Sequence, residues 1–340
     1  MIERIKIENF KNFEHFEFDG FKRINLIAGK NNVGKTNLLE AIHLAGTDFD
    51  STTIRKILRT RKEVHNQFEY NELAANFNAL QSFVPFRKIN PAPKTLIELG
   101  NRKRLVFQLQ FTNDRNEVDL TEVHLGVEIG FPGIYTDNWN LEKVFNRAPI
   151  FPRSSMNYSS MLEKNPNNEE LRYSWNKLVN SGLDEEVKPL LKLLDPKFNS
   201  FTVLHEIDGS YRIVVSHEDF EGRIPLGSFG DGFSVLFHFL MGLVNSNGGI
   251  FLIDEIENGF HFSFHEKLWR FIFETGEKTN VQIFATTHSR DCIEAFSKVS
   301  AEFQGQGQFI RLEENNGKIE AIDYNEEERK NIVDFHLEVR

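Results

Sequence analysis

At 340 residues with 40% apolar side chains, the chain is long enough to bury a full core in one large domain or two smaller ones. Its formal net charge of −10 excludes the all-over basic surface of a DNA-wrapping protein. A single cysteine, Cys292, excludes an internal disulfide, and neither a membrane-length apolar run nor a signal-peptide core is present, so the expectation is a soluble cytoplasmic protein without a membrane partner.

Residues 1–20 alternate apolar and polar side chains, with Ile2, Ile5 and Ile7 followed by Phe13, Phe16 and Phe18, which predicts two short strands turning at residues 9–12. An apolar run at Ile24, Leu26 and Ile27 then predicts a buried strand. Directly after it, Gly29, Lys30, Asn31, Asn32, Val33, Gly34, Lys35 and Thr36 fit G-x-x-x-x-G-K-[ST] without a mismatch, and an amphipathic helix opens at Asn37. Strand, glycine loop and helix are the setting a phosphate cradle needs. The glycines let successive N–H groups converge on a phosphate, the helix dipole adds positive potential, Lys35 reaches β and γ oxygens, and Thr36 offers its hydroxyl to Mg²⁺.

Polar and basic helical sequence follows over residues 52–82, then a proline-containing break at 85–93. Its basic cluster, Arg55, Lys56, Arg59, Arg61 and Lys62, and a second one, Arg102, Lys103 and Arg104, suit either a solvated face or a phosphate contact. Strands are expected at 104–111 and 122–129, loops around Pro132, Gly133, Asn138 and Asn140, and an aperiodic surface segment at 151–170. A helix over 184–194 precedes a hairpin with strands at 201–206 and 211–216 joined across Asp208 and Gly209.

From residue 224 the chemical signals become dense. Ser228, Gly230 and Gly232 form S-x-G-x-G at the start of an apolar helix, where Ser228 and Asp231 suit capping and the glycines permit close approach. Ile250, Phe251, Leu252 and Ile253 then describe a buried parallel strand that delivers Asp254 and Glu255 at its C-terminal edge. Asp254 suits a Mg²⁺ shell and Glu255 the orientation and deprotonation of water, while Glu257 reads as a surface carboxylate. After a helix over 263–273, a second buried strand at 281–287 ends at His288, which either bonds a γ-phosphate or caps the helix that starts near Ser289. A hairpin around Asn315, Asn316 and Gly317 and a short helix from Glu326 follow.

This succession of phosphate loop, S-x-G-x-G, Asp-Glu strand end and Thr-His strand end resembles the ATPase head of the ABC superfamily. More narrowly it is similar to the standalone RecF-like and OLD-like (overcoming lysogenization defect) ATPases. The resemblance rests on residues 1–48 and 222–322. It implies an α/β P-loop NTPase fold with a mixed sheet core, an antiparallel β lobe and a helical insertion. Residues 1–48 would carry the hairpin and phosphate loop, 49–221 the insertion, and 222–340 the signature, the acidic strand and the switch histidine.

By resemblance, the nucleotide contacts are Gly29, Lys30, Asn31, Asn32, Val33, Gly34, Lys35, Thr36 and Asn37, with Ser228, Gly230 and Gly232 reaching ATP on the opposite protomer. Thr36 and Asp254 would hold Mg²⁺, and Lys35, Glu255 and His288 would serve catalysis. Asn258, Gly259, Phe260 and His261 resemble the segment that crosses the dimer interface. Phe229 stands at a usual glycine position of the transporter signature, which argues against a transporter subunit, and the chain has no [NT]-K-x-D run for guanine. Gln108 and Gln110 are the candidates for the family's metal-loop glutamine. The tail after His288 is too short for the Toprim nuclease of OLD proteins, so the implied partners are a second copy, a separate nuclease or toxin effector, and DNA as a further candidate. The implied activity is an ATP-hydrolysing switch in phage defence or DNA repair, with a slow-turnover regulatory scaffold as the alternative.

Overall fold

The computed structural model describes residues 1–47, 51–62, 81–83, 95–100, 103–114, 117–129, 135–139, 158–160, 168–229 and 231–335. The chain divides into two compact units, one of Met1–Lys22, Ile27–Met156 and Ile310–Tyr324, the other of Arg23–Leu26, Asn157–Phe309 and Asn325–Arg340.

In the first unit, β1 (Arg4–Phe10) and β2 (Phe13–Asp19) form the expected hairpin, with Ile5 opposite Phe18 and Ile7 opposite Phe16, all four buried. Strand β3 (Ile24–Gly29) is buried at every residue, begins in the second unit and delivers the phosphate loop into the first. Helix α1 (Lys35–Gly46) follows, then α2 (Ser51–Thr60). The expected helix over 52–82 ends at Thr60 among the described residues, and residues 63–80 lie outside them.

Four more strands, β4 (Thr95–Leu99), β5 (Lys103–Asp114), β6 (Glu117–Ile129) and β7 (Tyr135–Trp139), extend the hairpin into an antiparallel sheet of order β2-β1-β4-β5-β6-β7. This sheet is the expected β lobe. Its strands outrun the predicted 104–111 and 122–129, and Asn138 lies in β7 opposite His124 rather than in a loop. Pairing with β6 overrides the turn preference of asparagine.

The second unit opens with β8 (Tyr158–Ser160), α3 (Asn168–Ser181) and α4 (Leu183–Leu194). The first two correct the expectation of an aperiodic segment over 151–170, of which residues 151–157 and 161–167 lie outside the described set. Strands β9 (Phe198–His205), β10 (Tyr211–His217) and β11 (Arg223–Pro225) make a small antiparallel sheet, its hairpin turning at Gly209 with φ 82°. Helix α5 (Asp231–Asn245) leads to β12 (Ile250–Ile253), α6 (His265–Lys278), β13 (Gln282–Thr286) and α7 (Arg290–Ser300).

β12 pairs in parallel with β13 on one side and β8 on the other, Ile250 lying opposite Gln282 and Ile253 opposite Ala285. Beyond β13 lies the start of β3, where Arg23 O accepts from Ile283 N at 2.7 Å and buried Asn25 donates to Ile283 O at 3.1 Å. Continuous apolar runs form these strands because helices cover a parallel sheet. Trp269 and Phe273 of α6 pack on Phe296 of α7, and the Trp269 indole donates to Cys292 O at 3.2 Å. β14 (Gly307–Asn315) starts in this unit and turns in the other through Asn316 and Gly317, at φ 53° and 78°, into β15 (Lys318–Tyr324); α8 (Glu326–Phe335) ends the described chain. Two successive positive φ angles match the twist of a hairpin and suit Asn-Gly. Among the described residues, no helix is long and apolar enough to cross a membrane.

Candidate functional site

Within the first unit, the phosphate loop is shaped by its two glycines. Gly29 has φ 144°, and a Cβ there would meet Leu312 O at 2.6 Å; Gly34 has φ 108°, and a Cβ there would meet the Asn12 side-chain amide at 2.8 Å. Any larger residue would strain the backbone and collide, so the cradle is open only to glycine at both positions. Lys30, Asn31 and Asn32 are exposed along the rim, Val33 is buried beneath, and Asn32 holds φ 65°. Lys35 folds back over the loop, its Nζ donating to Gly29 O at 2.7 Å and Lys30 O at 3.0 Å. Thr36 and Asn37 share the first turn of α1, where the positive end of the helix dipole favours an anion.

The base of α1 is tied down by a polar network. Glu40, 1% exposed, forms ion pairs with Lys11 and with Arg61, the latter at 2.8 Å. Asn37 donates to Asn12 Oδ1 at 2.6 Å and accepts from Arg61 at 2.6 Å. Lys11 has φ 51° and lies over the Phe10 and Phe83 rings at 5.7 and 5.3 Å. One arginine of the predicted basic cluster therefore serves an internal role, a third option beside the solvated face and the phosphate contact. Gln108 and Gln110 fall on β5, opposite His124 and Glu122.

In the second unit, Asp254, Glu255 and His288 come together at the adjacent ends of β12 and β13. Thr286 joins the two strand ends: its hydroxyl donates to Asp254 Oδ1 at 2.5 Å and accepts from Glu255 N at 2.8 Å, while its carbonyl accepts from Ile256 N at 3.0 Å. Glu255 stands at φ 53°, a left-handed conformation that costs an ordinary side chain roughly 1–2 kcal/mol. Its carboxylate is half exposed and accepts from Asn258 at 2.5 Å.

Glu257 is not the surface carboxylate expected of it. It is 9% exposed, and its Oε1 lies 3.0 Å from both the backbone N and the ring Nδ1 of His288. The His288 ring is 49% exposed and stands 3.9 Å from Glu255 Oε1. Capping of α7 falls to Ser289, whose hydroxyl accepts from Cys292 N at 3.3 Å, so the alternative role for His288 is filled by its neighbour. Glu257 and Thr286 are the two residues that sequence reasoning missed. Their only local signal is a second acid two residues beyond Glu255 and a hydroxyl ending an apolar run.

The signature residues are distributed around the start of α5. Ser228 is exposed in the 3₁₀ turn Leu226–Phe229, Gly230 lies outside the described residues, and Gly232 is in the helix's first turn. A Cβ on Gly232 would meet Gly259 O at 2.9 Å, so this helix start abuts the loop that follows the two acids. Phe229 packs its ring 5.4 Å from His217 and 5.5 Å from Phe233, which gives the departure from glycine a packing role. Burial pushes the Cys292 thiol up to about 12.

A family profile described as an AAA domain matches residues 4–336. The chain belongs to the AAA-domain family. This AAA-domain protein is a P-loop ATPase, and its fold is that of an ABC-type head. A crystal structure of the Smc head bound to the C-winged helix domain of ScpA superimposes with a TM-score of 0.55 over 97% of the chain and 99% of that structure, at 12% identity. An Smc head with an extended coiled coil, bound to the C-terminal domain of ScpA from Pyrococcus furiosus, gives 0.52 over 99% of each chain at 11% identity. A Helicobacter pylori protein named ATP/GTP phosphatase is 27% identical over 341 aligned residues, covering 89% of both chains. The DNA replication and repair protein RecF of Bacteroides fragilis is 28% identical over 32% of this chain and 36% of its own length.

Proposed function

We propose that this protein is a Mg²⁺-dependent ATP-hydrolysing switch whose two copies close on two nucleotides and reopen after hydrolysis. The observation that carries the reading is the meeting of Asp254, Glu255 and His288 at neighbouring parallel strand ends, in a chain whose phosphate loop has the glycine geometry of an anion cradle. The donor set fits a magnesium nucleotide: backbone N–H groups and Lys35 for phosphate oxygens, and Thr36 and Asp254 as hard oxygen ligands. The metal, when bound, would neutralise charge that develops on the transferred phosphoryl group. Gly29 to Asn37 grip the phosphates, Glu255 takes the proton of the attacking water, and His288 faces the γ-phosphate. Ser228, Gly230 and Gly232 complete the pocket of the second copy. The signature S-F-G-D-G favours the OLD-like group, with an output in phage defence or DNA repair through a separate effector chain or DNA; the relatives named RecF and ATP/GTP phosphatase support the repair and hydrolysis parts.

The test compares Lys35→Ala with Glu255→Gln. The first is expected to lose nucleotide binding, and the second to bind ATP, hydrolyse at least about 100-fold more slowly and accumulate as a dimer on a sizing column. Wild-type turnover by Glu255→Gln would remove the water-activating assignment. Substituting GTP decides the nucleotide, and addition of DNA separates a stimulated switch from a slow regulatory scaffold, whose rate stays flat.

A further inference from the structure

We infer that Glu257 is a positioning residue that fixes the His288 ring, so that Nε2 and not Nδ1 is the atom offered to the nucleotide. The inference rests on the proposed role of His288 and assigns the residue that sets it. Three observations carry it.

First, one carboxylate oxygen accepts a hydrogen bond from the His288 backbone N at 3.0 Å and makes a charge contact with Nδ1 of the same residue, also at 3.0 Å. A carboxylate oxygen presents only lone pairs, so a bare Nδ1 at this distance would face it lone pair to lone pair; hydrogen on Nδ1 turns that repulsion into attraction, and a ring flip would replace the nitrogen by carbon. Second, Glu257 is buried while the His288 ring is half exposed, and Nδ1 is the nitrogen turned to the acids, 3.0 Å from Glu257 Oε1 and 3.9 Å from Glu255 Oε1, which leaves Nε2 with no carboxylate within 4 Å among the described residues. Third, the surroundings give the carboxylate no comparable alternative. Glu257 Oε2 is buried and has no hydrogen-bond partner among the described residues. The neighbouring His265 on α6 has no hydrogen bond to the carboxylate among the described residues, and burial shifts its pKa down, towards the neutral form, against the opposing pull of Glu257. Cys292 on α7 stays a thiol for the same reason, and Asp291 and Glu255 are themselves acids. A carboxylate kept in such a place, with one oxygen unmatched, is costly to the fold, and its return is the geometry of His288. The arrangement has the form of an acid behind a working histidine, in which the buried group selects the tautomer and the ring meets the substrate.

The experiment reads the tautomer directly. Protein labelled with ¹⁵N-histidine gives ring nitrogen signals by NMR, and His288→Asn identifies those of residue 288. In the wild type Nδ1 is expected to carry hydrogen; in Glu257→Leu, which keeps bulk but removes the acceptor, the signals move to the mixture of a free imidazole. Glu257→Gln retains an oxygen acceptor and should restore much of the Nδ1–H form. Steady-state hydrolysis is read alongside. His288→Ala and Glu257→Leu should each lower kcat about tenfold or more with KM for ATP within about twofold, and the double variant should be no slower than the slower single one. A wild-type ring with hydrogen on Nε2 alone overturns the inference, and needs no Glu257 variant to fold. So does a double variant whose losses multiply. If His288→Ala hydrolyses at the wild-type rate, the reading of His288 under the proposed function has failed and the positioning role falls with it. If His288→Ala is slow while Glu257→Leu is not, the failure belongs to Glu257 alone.

Discussion

Replacing Glu255 by glycine should abolish hydrolysis and yet give a more stable fold than replacing it by alanine. Both variants remove the carboxylate and its bond from Asn258, so those losses cancel in the comparison. What remains is φ 53°. Alanine keeps a Cβ in the left-handed region, at a cost of roughly 1–2 kcal/mol, whereas glycine occupies it freely. The greater freedom of glycine in the unfolded chain takes back about 0.4–1 kcal/mol, leaving glycine ahead by about 0–1.6 kcal/mol, with the middle of the range near 0.8. That corresponds to a shift of at most about 2 °C in thermal midpoint for a chain of this size, so urea titration, with its midpoint converted to free energy, is the better assay. An alanine variant more stable than the glycine variant would show that residue 255 does not hold this conformation in solution. The strained backbone would then play no part in aiming the carboxylate.

Three further outcomes are expected. Glu40→Ala should destabilise the first unit by about 3–5 kcal/mol in urea unfolding, because it takes the carboxylate from buried Lys11, whereas Arg61→Ala on the more exposed side should cost about 1 kcal/mol. Thr286→Val removes the hydroxyl shared by Asp254 and Glu255 and should lower both stability, by about 1–3 kcal/mol, and turnover, with Thr286→Ser recovering both. Cys292 should resist thiol reagents in the native protein and react in urea. With its folded pKa raised to about 12, the unfolded chain loses the thiol proton first. Stability is therefore full below about pH 8.5 and falls above it by up to about 1.4 kcal/mol per pH unit, a slope that Cys292→Ala should flatten.

The elements that were legible in advance are those whose chemistry is local. The phosphate loop announces itself by residue spacing, and β12 and β13 by unbroken apolar runs, because a strand covered on both faces has no polar side to show. Glu257 was misjudged for the opposite reason. A third acid within four residues reads as solvated, and only the arrival of the β13 end, some 30 residues later in the chain, encloses it and supplies a partner in His288. Thr286 shares that history, since its bonds to Asp254 and Glu255 exist only across the parallel pairing. β8 and β7 were missed because Ser159, Ser160 and Asn138 carry turn propensities that sheet pairing overrides. α3 begins in Asn-Glu-Glu, which resembles a solvated loop until its later turns supply buried Leu178.

The abutment of Gly232 on Gly259 O leaves no slack between two parts of the second unit. Asn258, the neighbour of that carbonyl, holds the Glu255 carboxylate by its amide. A side chain at 232 would therefore collide with the loop whose neighbouring residue bonds the acid, so the smallness of this one position and the placement of residue 255 are set by the same few atoms.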